Sequence, residues 1–262
     1  MTHRGFFGMM SESHPAISNL PRQHAASLVH EKVLSLLLNE KPGLLLDVPA
    51  GEGAFAAKAR ELGHEIQCGD IKASRFKVQG IKCDQVDLNK LWPYSNDMFD
   101  YVVSVEAIEH LENPWHVVRE ANRVLKPGGK LIMTTPNVLT IKSRLSYLLY
   151  GYPNYFHYMF ERDHDRRDES PVDHINPVGF LELRHILSRN GFQVEAVEAN
   201  RYFKRHSVFY QLLRLLLLSS GRSHVRNDKA KATVRQTLLS AALLFGEILV
   251  LKAQKVSDVK GM

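Results

Sequence analysis

Short apolar runs that end at an acid or a glycine recur through the N-terminal half of the chain. Residues 44–46, 65–71 and 98–105 follow this pattern. Strands buried on both faces of a parallel sheet are almost continuously apolar in this way. Helical periodicity appears between them, for example at residues 114–125 with Asn113 as the expected N-cap. Strands that alternate with helices predict an α/β domain with a parallel sheet.

The C-terminal half predicts two further strands, at 193–198 and 247–253, and a helix at 177–189 that Asn176 caps. A long segment separates the two strands. It contains Leu-rich runs, and between Arg201 and Arg235 it carries nine Lys/Arg and one acid. The predicted organisation is an N-terminal extension at 1–22, an α/β domain at 23–200 and 246–256, and a basic, Leu-rich helical insertion at 201–245.

The turn after the first predicted strand, Asp47-Val48-Pro49-Ala50-Gly51-Glu52-Gly53, is the most informative motif. Gly51 and Gly53 let the backbone turn sharply and approach a ligand without a Cβ, and the N-terminus of the next helix faces the turn. No third glycine has the dinucleotide spacing, and the lysine of a phosphate-binding loop is missing. The turn therefore suits a ligand with hydroxyls and an ammonium group but no phosphate, such as S-adenosylmethionine.

Acids at the next two strand ends extend this predicted pocket. Asp70 ends the second strand and can accept hydrogen bonds from both ribose hydroxyls, as in nucleotide-binding sheets generally. Asp87 ends the third strand and is placed to accept from an adenine amino group. The neighbouring residues Ile71, Leu88 and Val105 complete the predicted cofactor-binding set.

Taken together, these motifs resemble class I S-adenosylmethionine-dependent methyltransferases, and especially the ubiquinone-pathway O-methyltransferases and the type 11 and type 23 methyltransferase-domain groups. The matching pieces are DVPAGEG at 47–53, Gly69-Asp70, Asp87, FDYVVSVEAIEH at 99–110, LKPGG at 125–129 and TTPN at 134–137. The resemblance implies a Rossmann-like sheet of seven strands, mostly parallel with an antiparallel last strand, and helices on both faces. Pro49 departs from the family, which usually has a glycine there, and we expect a stiffer turn.

The segment after the fourth strand carries the candidate catalytic residues Glu106, Glu109 and His110. If it is helical, these side chains share one face and can bind a divalent cation such as Mg²⁺. This E-x-x-E-H pattern resembles the metal-binding element of small-RNA 3′-terminal 2′-O-methyltransferases and the corresponding element of ubiquinone-pathway O-methyltransferases. The RNA family implies His174 as a further ligand. Two alternatives stay open, namely His110 as a general base without a metal, and neither role.

The expected function is O-methylation of a small-molecule, glycan or lipid-linked hydroxyl. An RNA 2′-O- or protein methyltransferase is the first alternative. It is opposed by the lack of an Asn-Pro-Pro-Tyr type motif and of a recognisable RNA-binding module, so nucleic acid is not an expected partner. A non-catalytic S-adenosylmethionine-binding protein is the second alternative, and the retained acids and glycines oppose it.

The composition of the chain bears mainly on its expected binding partners and its cellular compartment. The net charge is +6, and the excess is concentrated in the predicted insertion. Its apolar runs at 208–218 and 237–245 are too short or too interrupted for a membrane span. They predict either helices packed on the sheet edge or on another subunit of a homodimer, or an element that lies on an anionic membrane or holds a lipid-linked substrate. Two expected free thiols and the lack of a signal-peptide pattern indicate a cytoplasmic protein, with peripheral binding at the cytoplasmic membrane face as an extension.

Overall fold

A computed structural model of the chain describes residues 21–154, 156, 174–219 and 229–259. Nearly all of the predicted N-terminal extension and the middle of the predicted insertion lie outside the described residues. The stretch just before His174 lies outside them as well.

One seven-stranded sheet organises the structure, with strand order β3-β2-β1-β4-β5-β7-β6. The strands are β1 Leu44–Asp47, β2 Glu65–Asp70, β3 Lys82–Gln85, β4 Phe99–Ser104, β5 Leu125–Pro136, β6 Phe192–Ala199 and β7 Ile248–Lys255. Strands β1 to β5 pair in parallel, and β7 is antiparallel to both β5 and β6. The predicted fold class is therefore confirmed, and the carboxyl ends of β1, β2, β3, β4 and β5 meet at one edge.

Eight α-helices surround the sheet in the described ranges. They are α1 Val29–Leu37, α2 Ala54–Glu61, α3 Pro114–Val124, α4 Ile141–Tyr150, α5 Phe180–Arg189, α6 Val208–Ser219, α7 Lys229–Leu238 and α8 Ala241–Phe245. Helix α3 begins as predicted, because the Asn113 side chain accepts a hydrogen bond from the His116 backbone N–H at 3.0 Å. The prediction for α5 is wrong at its start. Gly179 is its N-cap residue, and Asn176 is engaged elsewhere.

Two apolar layers hold the helices on the sheet, one on each face. Alternate positions of β1 point to opposite faces, so Leu45 packs with α1 and α2 while Leu46 packs with α3 and α5. Both leucines are fully buried. Burial of such a side chain contributes roughly 1.5–3 kcal/mol to the free energy of unfolding. These layers fix the strand ends, and hence the site, in relation to one another.

Part of the predicted insertion is integrated into this core. Helix α8 is buried along Ala242–Phe245. The Asn137 side chain, just beyond β5, donates to the carbonyl oxygens of Ala242 and Gly246 at 3.0 Å each. Helix α8 is thereby fixed at the carboxyl end of β5. Over the part of the chain that the structure describes, no helix is long and apolar enough to cross a membrane.

Candidate active site

Asp70 joins the end of β2 to the loop that follows β1. Its Oδ2 accepts a hydrogen bond from the Gly51 backbone N–H and its Oδ1 accepts one from Lys72, each at 2.8 Å. The Ala50 N–H also donates to the Gly69 carbonyl at 2.9 Å. A carboxylate has about four acceptor positions. Asp70 therefore keeps capacity for the two ribose hydroxyls of a nucleoside.

Asp47, at the end of β1, is a buried acid with an unsatisfied oxygen. Only 1% of its surface is exposed, and within the described chain its Oδ2 accepts no hydrogen bond. Burial, followed by the charge of Asp70, raises the pKa of this carboxyl well above its usual value, while the Ala56 backbone N–H acts in the opposite direction. Leaving such an oxygen unpaired is costly, so it fits a site for a ligand N–H or ammonium group.

Positions 51 and 53 of the loop are each glycine for a different physical reason. Both have positive φ angles, +55° at Gly51 and +96° at Gly53. A Cβ on Gly51 would meet nothing nearer than the His24 ring at 3.9 Å, whereas a Cβ on Gly53 would lie 2.5–2.6 Å from the Val78 and Phe76 side chains. Gly51 therefore faces open space, and Gly53 is required by packing. Sequence reasoning placed both beside the ligand. The loop is kept despite Pro49, which follows a cis peptide bond.

The other predicted cofactor residues lie at the same edge with unequal exposure. Asp87 accepts from the Asn89 backbone N–H at 3.0 Å and pairs with Lys90 at 3.1 Å; these contacts hold its pKa below the usual value. Ile71 is exposed beside Asp70. The side chains of Leu88 and Val105 are buried in the two apolar layers, so their backbones are the parts available to a cofactor.

Glu106 does not share a helical face with Glu109 and His110, so that expectation is wrong. Glu106 has a φ of +44°, and only Ile108–His110 forms a single 3-10 turn. Its Oε2 accepts from the Ala26 backbone N–H at 2.6 Å. Burial raises the pKa of the Glu106 carboxyl, and the Ala26 contact partly offsets this. Glu106 thus connects the strand-end edge to the segment before α1, a contact that no local sequence signal indicated.

Glu109, His110 and His174 form a compact group. One ligand atom from each lies within 4.8 Å of the others. The Ile175 and Asn176 backbone N–H groups both donate to the Glu109 carbonyl, at 2.8 and 3.0 Å. The Asn176 side chain donates to the Leu111 carbonyl. These bonds explain both why His174 reaches the turn after β4 and why Asn176 does not cap α5.

Glu109 is fully buried, and neither of its carboxyl oxygens forms a regular hydrogen bond within the described chain. Burial raises the pKa of this carboxyl to about 8; its own backbone N–H and the Thr135 side chain act in the opposite direction, and the charge of Glu106 raises the pKa further. One buried carboxyl beside two imidazoles is a donor set that a divalent cation can occupy. The same set can also hold and transfer a proton.

Comparison with known proteins agrees with the fold. A family model described as a methyltransferase domain matches residues 22–197. The crystal structure of an S-adenosylmethionine-dependent methyltransferase from Archaeoglobus fulgidus superposes with a TM-score of 0.55 at 18% identity, covering 86% of this chain and 94% of that one. One from Mesorhizobium loti gives 0.51 at 19% identity, with coverage of 85% and 96%. At such identities, the superpositions show the fold alone.

Two curated relatives are similar over a shorter stretch. The ubiquinone biosynthesis O-methyltransferase of Xanthomonas oryzae pv. oryzae is 31% identical over 123 residues, which cover 44% of this chain and 52% of the relative. The demethylmenaquinone methyltransferase of Bacillus cereus is 30% identical over 128 residues, which cover 44% and 54%. The chain thus spans about half the length of the curated relatives that it matches.

The strand order and the family match over residues 22–197 identify a class I, S-adenosylmethionine-dependent methyltransferase. The chain belongs to the methyltransferase-domain family whose model covers most of it. The predicted family, the enzyme class and S-adenosylmethionine as cofactor are confirmed at this level, and the divalent cation stays a prediction. The roles predicted for individual site residues stay predictions, although the structure places them at one edge of the sheet.

Proposed function

We propose that this chain transfers a methyl group from S-adenosylmethionine to a hydroxyl of a small-molecule, glycan or lipid-linked acceptor. The observation that carries the proposal is the buried Glu109 carboxyl, which has no regular hydrogen bond among the described residues and lies beside His110 and His174. A hydroxyl is a weak nucleophile until its proton is removed or its pKa is lowered. The relative named as an O-methyltransferase supports the choice of oxygen.

At the cofactor end, three acids would each contact a different part of S-adenosylmethionine. The unpaired Asp47 oxygen would accept from the ammonium group, Asp70 from the ribose hydroxyls and Asp87 from the adenine amino group. When bound, the donor supplies an electrophilic methyl group. The protein's contribution is to hold that group in line with the acceptor oxygen, and positioning of this kind supplies a large part of the rate.

At the acceptor end, Glu109, His110 and His174 would hold a divalent cation that lowers the pKa of the bound hydroxyl. The charge of the cation would also compensate the buried carboxylate, whose oxygens have no regular hydrogen-bond partner among the described residues. Glu106 stays outside this set in our proposal, because the Ala26 backbone already binds its carboxylate. If no cation binds, His110 takes the hydroxyl proton directly as general base.

The test measures transfer of labelled methyl from S-adenosylmethionine to a panel of phenols, sugars and polyprenylated phenols, before and after chelation. We expect chelator to abolish transfer and added Mg²⁺ or Mn²⁺ to restore it. His174→Ala should lower activity at least about tenfold. The matched control is His185→Ala, because His185 is exposed on α5 and contacts Trp115 instead of the cluster.

Three outcomes would contradict parts of the proposed function. Full activity in chelator would reject the cation, and loss of that activity in His110→Ala would then assign proton removal to His110. Retained binding of S-adenosylhomocysteine without transfer to any hydroxyl would reject O-methylation. Transfer to RNA or protein hydroxyls alone would favour the alternative class of acceptor.

A further inference from the structure

Helices α4 and α6 line one groove, and each exposes several apolar residues to solvent. These are hydrophobic or aromatic residues that are more than half exposed, and we call them the α4–α6 surface. They are Tyr147, Leu148, Leu149 and Tyr150 on α4, and Val208, Phe209, Leu212, Leu215 and Leu216 on α6. Contiguous exposed apolar patches are rare on soluble proteins and mark sites of interaction.

Helix α6 is held firmly on the protein by its other face. Tyr210, Leu213 and Leu217 pack against a buried cluster that includes Leu244 and Phe245 of α8. The Arg235 side chain also donates to the carbonyl of Leu218 at 2.8 Å, near the end of α6. The solvent-facing residues recur at the helical spacing of one stripe. The exposed stripe therefore belongs to a docked helix that is apolar on two sides.

The described charged residues next to α6 have one sign. Within the described part of residues 201–246, no residue is acidic. Arg201 is paired with Glu247, but Lys204 and Arg205 are exposed just before α6, where they stack on the rings of Tyr210 and Tyr202. Leucines flanked by aromatic rings and basic side chains form the pattern of a helix that lies in the headgroup region of an anionic membrane.

A groove between α4 and α6 extends the surface inward. Its volume is about 280 Å³, and it reaches solvent at Leu216, which lines it. Arg144 is its charged member and donates to the Leu139 and Leu238 carbonyls at 2.9 and 3.0 Å. The other lining residues are aliphatic. The groove thus offers apolar depth that suits part of an acyl chain, while the Arg144 guanidinium is held by two backbone carbonyls.

We propose that the α4–α6 surface docks on the anionic face of a lipid bilayer. The leucines and Phe209 insert below the headgroups, and Lys204 and Arg205 contact the lipid phosphates. A second copy of the chain is a poorer occupant, because a twofold contact would bring the same predominantly basic region together from both copies. The proposal goes beyond the methyl-transfer function and does not depend on it.

The position of the surface has a consequence for the site. Helix α4 follows β5 at the edge where the strand-end acids lie. Phe156, just after α4, is buried with its ring centroid 5.5 Å from that of His174. A bilayer bound to α4 would therefore lie near Phe156, whose ring is close to that of His174.

The experiment is flotation of the full chain with vesicles of phosphatidylcholine alone or with added phosphatidylglycerol. We expect flotation with the anionic vesicles, weaker flotation with the neutral ones, and loss at high salt because of screening. The double variant Leu212→Glu/Leu215→Glu should reduce the vesicle-bound fraction at least about tenfold. The matched control is Leu181→Glu, an exposed leucine on α5, which should float like the unmodified chain.

Three results would overturn the proposal. The first is failure of the unmodified chain to float on anionic vesicles at low salt. The second is undiminished flotation of the double variant. The third is a dimer, measured by light scattering, that becomes a monomer in the double variant without a change in flotation, which would assign the surface to a second copy. Circular dichroism must show that the double variant is folded. Its methyl transfer to a water-soluble acceptor should be unchanged, which separates failure here from failure of the proposed function.

Discussion

The imidazole rings of His110 and His174 lie with their centroids 4.7 Å apart, although one follows β4 and the other precedes α5. Hydrogen bonds of neighbouring residues help to keep the two rings together. The Glu109 carbonyl accepts two backbone N–H groups from the His174 side, and the Leu111 carbonyl accepts the Asn176 side chain. The geometry of the cluster therefore depends on a residue that carries none of its chemistry.

Asn176→Ala should loosen this cluster without removing a ligand. The lost side-chain hydrogen bond would let His174 move relative to His110, and groups that orient metal ligands typically change affinity by about 10- to 100-fold. We expect weaker Mn²⁺ binding by titration calorimetry and lower kcat with little change in KM for a soluble acceptor. High Mn²⁺ should restore part of the activity.

The control for this variant is Asn113→Ala, which removes the N-cap of α3. It should lower the free energy of unfolding by about 1 kcal/mol but leave Mn²⁺ affinity unchanged. Equal Mn²⁺ affinity in Asn176→Ala and the unmodified chain would show that the backbone bonds to Glu109 suffice to position His174.

Asp70→Ala should weaken binding of S-adenosylhomocysteine at least about tenfold, since it removes the acceptor for the ribose hydroxyls and frees the Gly51 N–H. Calorimetric titration measures the change. Asp84→Ala is a suitable control, because Asp84 lies on the neighbouring strand and pairs with Lys82 and Gln67. If both variants bind the ligand as the unmodified chain does, Asp70 is not part of the cofactor pocket.

Gly53→Ala should mainly lower the stability of the fold, whereas Gly51→Ala should mainly weaken ligand binding. At Gly53 the new Cβ would collide with Phe76 and Val78 at a positive φ, so we expect a loss of about 1–3 kcal/mol in urea-induced unfolding. At Gly51 the Cβ enters open space, and we expect a smaller loss of stability but weaker binding of S-adenosylhomocysteine. A Gly53→Ala protein of unchanged stability would contradict the packing explanation.

Local chemistry explains which features could be predicted from the sequence. The strands β1 and β2, the acids Asp47 and Asp70 that end them, and the Asn113 cap depend on neighbours in the chain, and they appear where expected. Asp87 lies two residues beyond the end of β3 instead of ending it. His174 was placed in the candidate metal set by family resemblance, and the structure brings it to Glu109 and His110.

Contacts between distant segments explain what the sequence did not predict. The positive φ of Glu106 and its bond to Ala26 depend on how the segment before α1 crosses the strand ends. Asparagine is a common N-cap residue, yet the Asn176 side chain donates to the Leu111 carbonyl of another loop instead of capping α5. The position of α8 likewise depends on Asn137, which lies just beyond β5 and is far from α8 in the chain. Contacts between segments that are distant in the sequence cannot be predicted from the spacing of residues along the chain.

His30 gives a prediction about pH. This residue of α1 is buried with its ring centroid 5.6 Å from that of Phe55, and within the described chain its Nδ1 has no hydrogen-bond partner. Burial, together with the charge of Lys58, lowers the pKa of His30 from 6.5 to about 4, and Glu31 opposes this. The unfolded chain therefore binds a proton at this residue below pH 6.5, whereas the folded chain does not until about pH 4.

Stability should accordingly fall as the pH drops from 6.5 to 4, by up to about 3 kcal/mol from this residue, and the effect should vanish above pH 6.5. Urea unfolding of His30→Gln across this range should show a flatter profile than that of the unmodified chain, whatever its stability at neutral pH. The exposed His185→Gln serves as control and should keep the full slope. Parallel profiles for the unmodified chain and His30→Gln would mean that His30 is protonated in the folded state or reached by water.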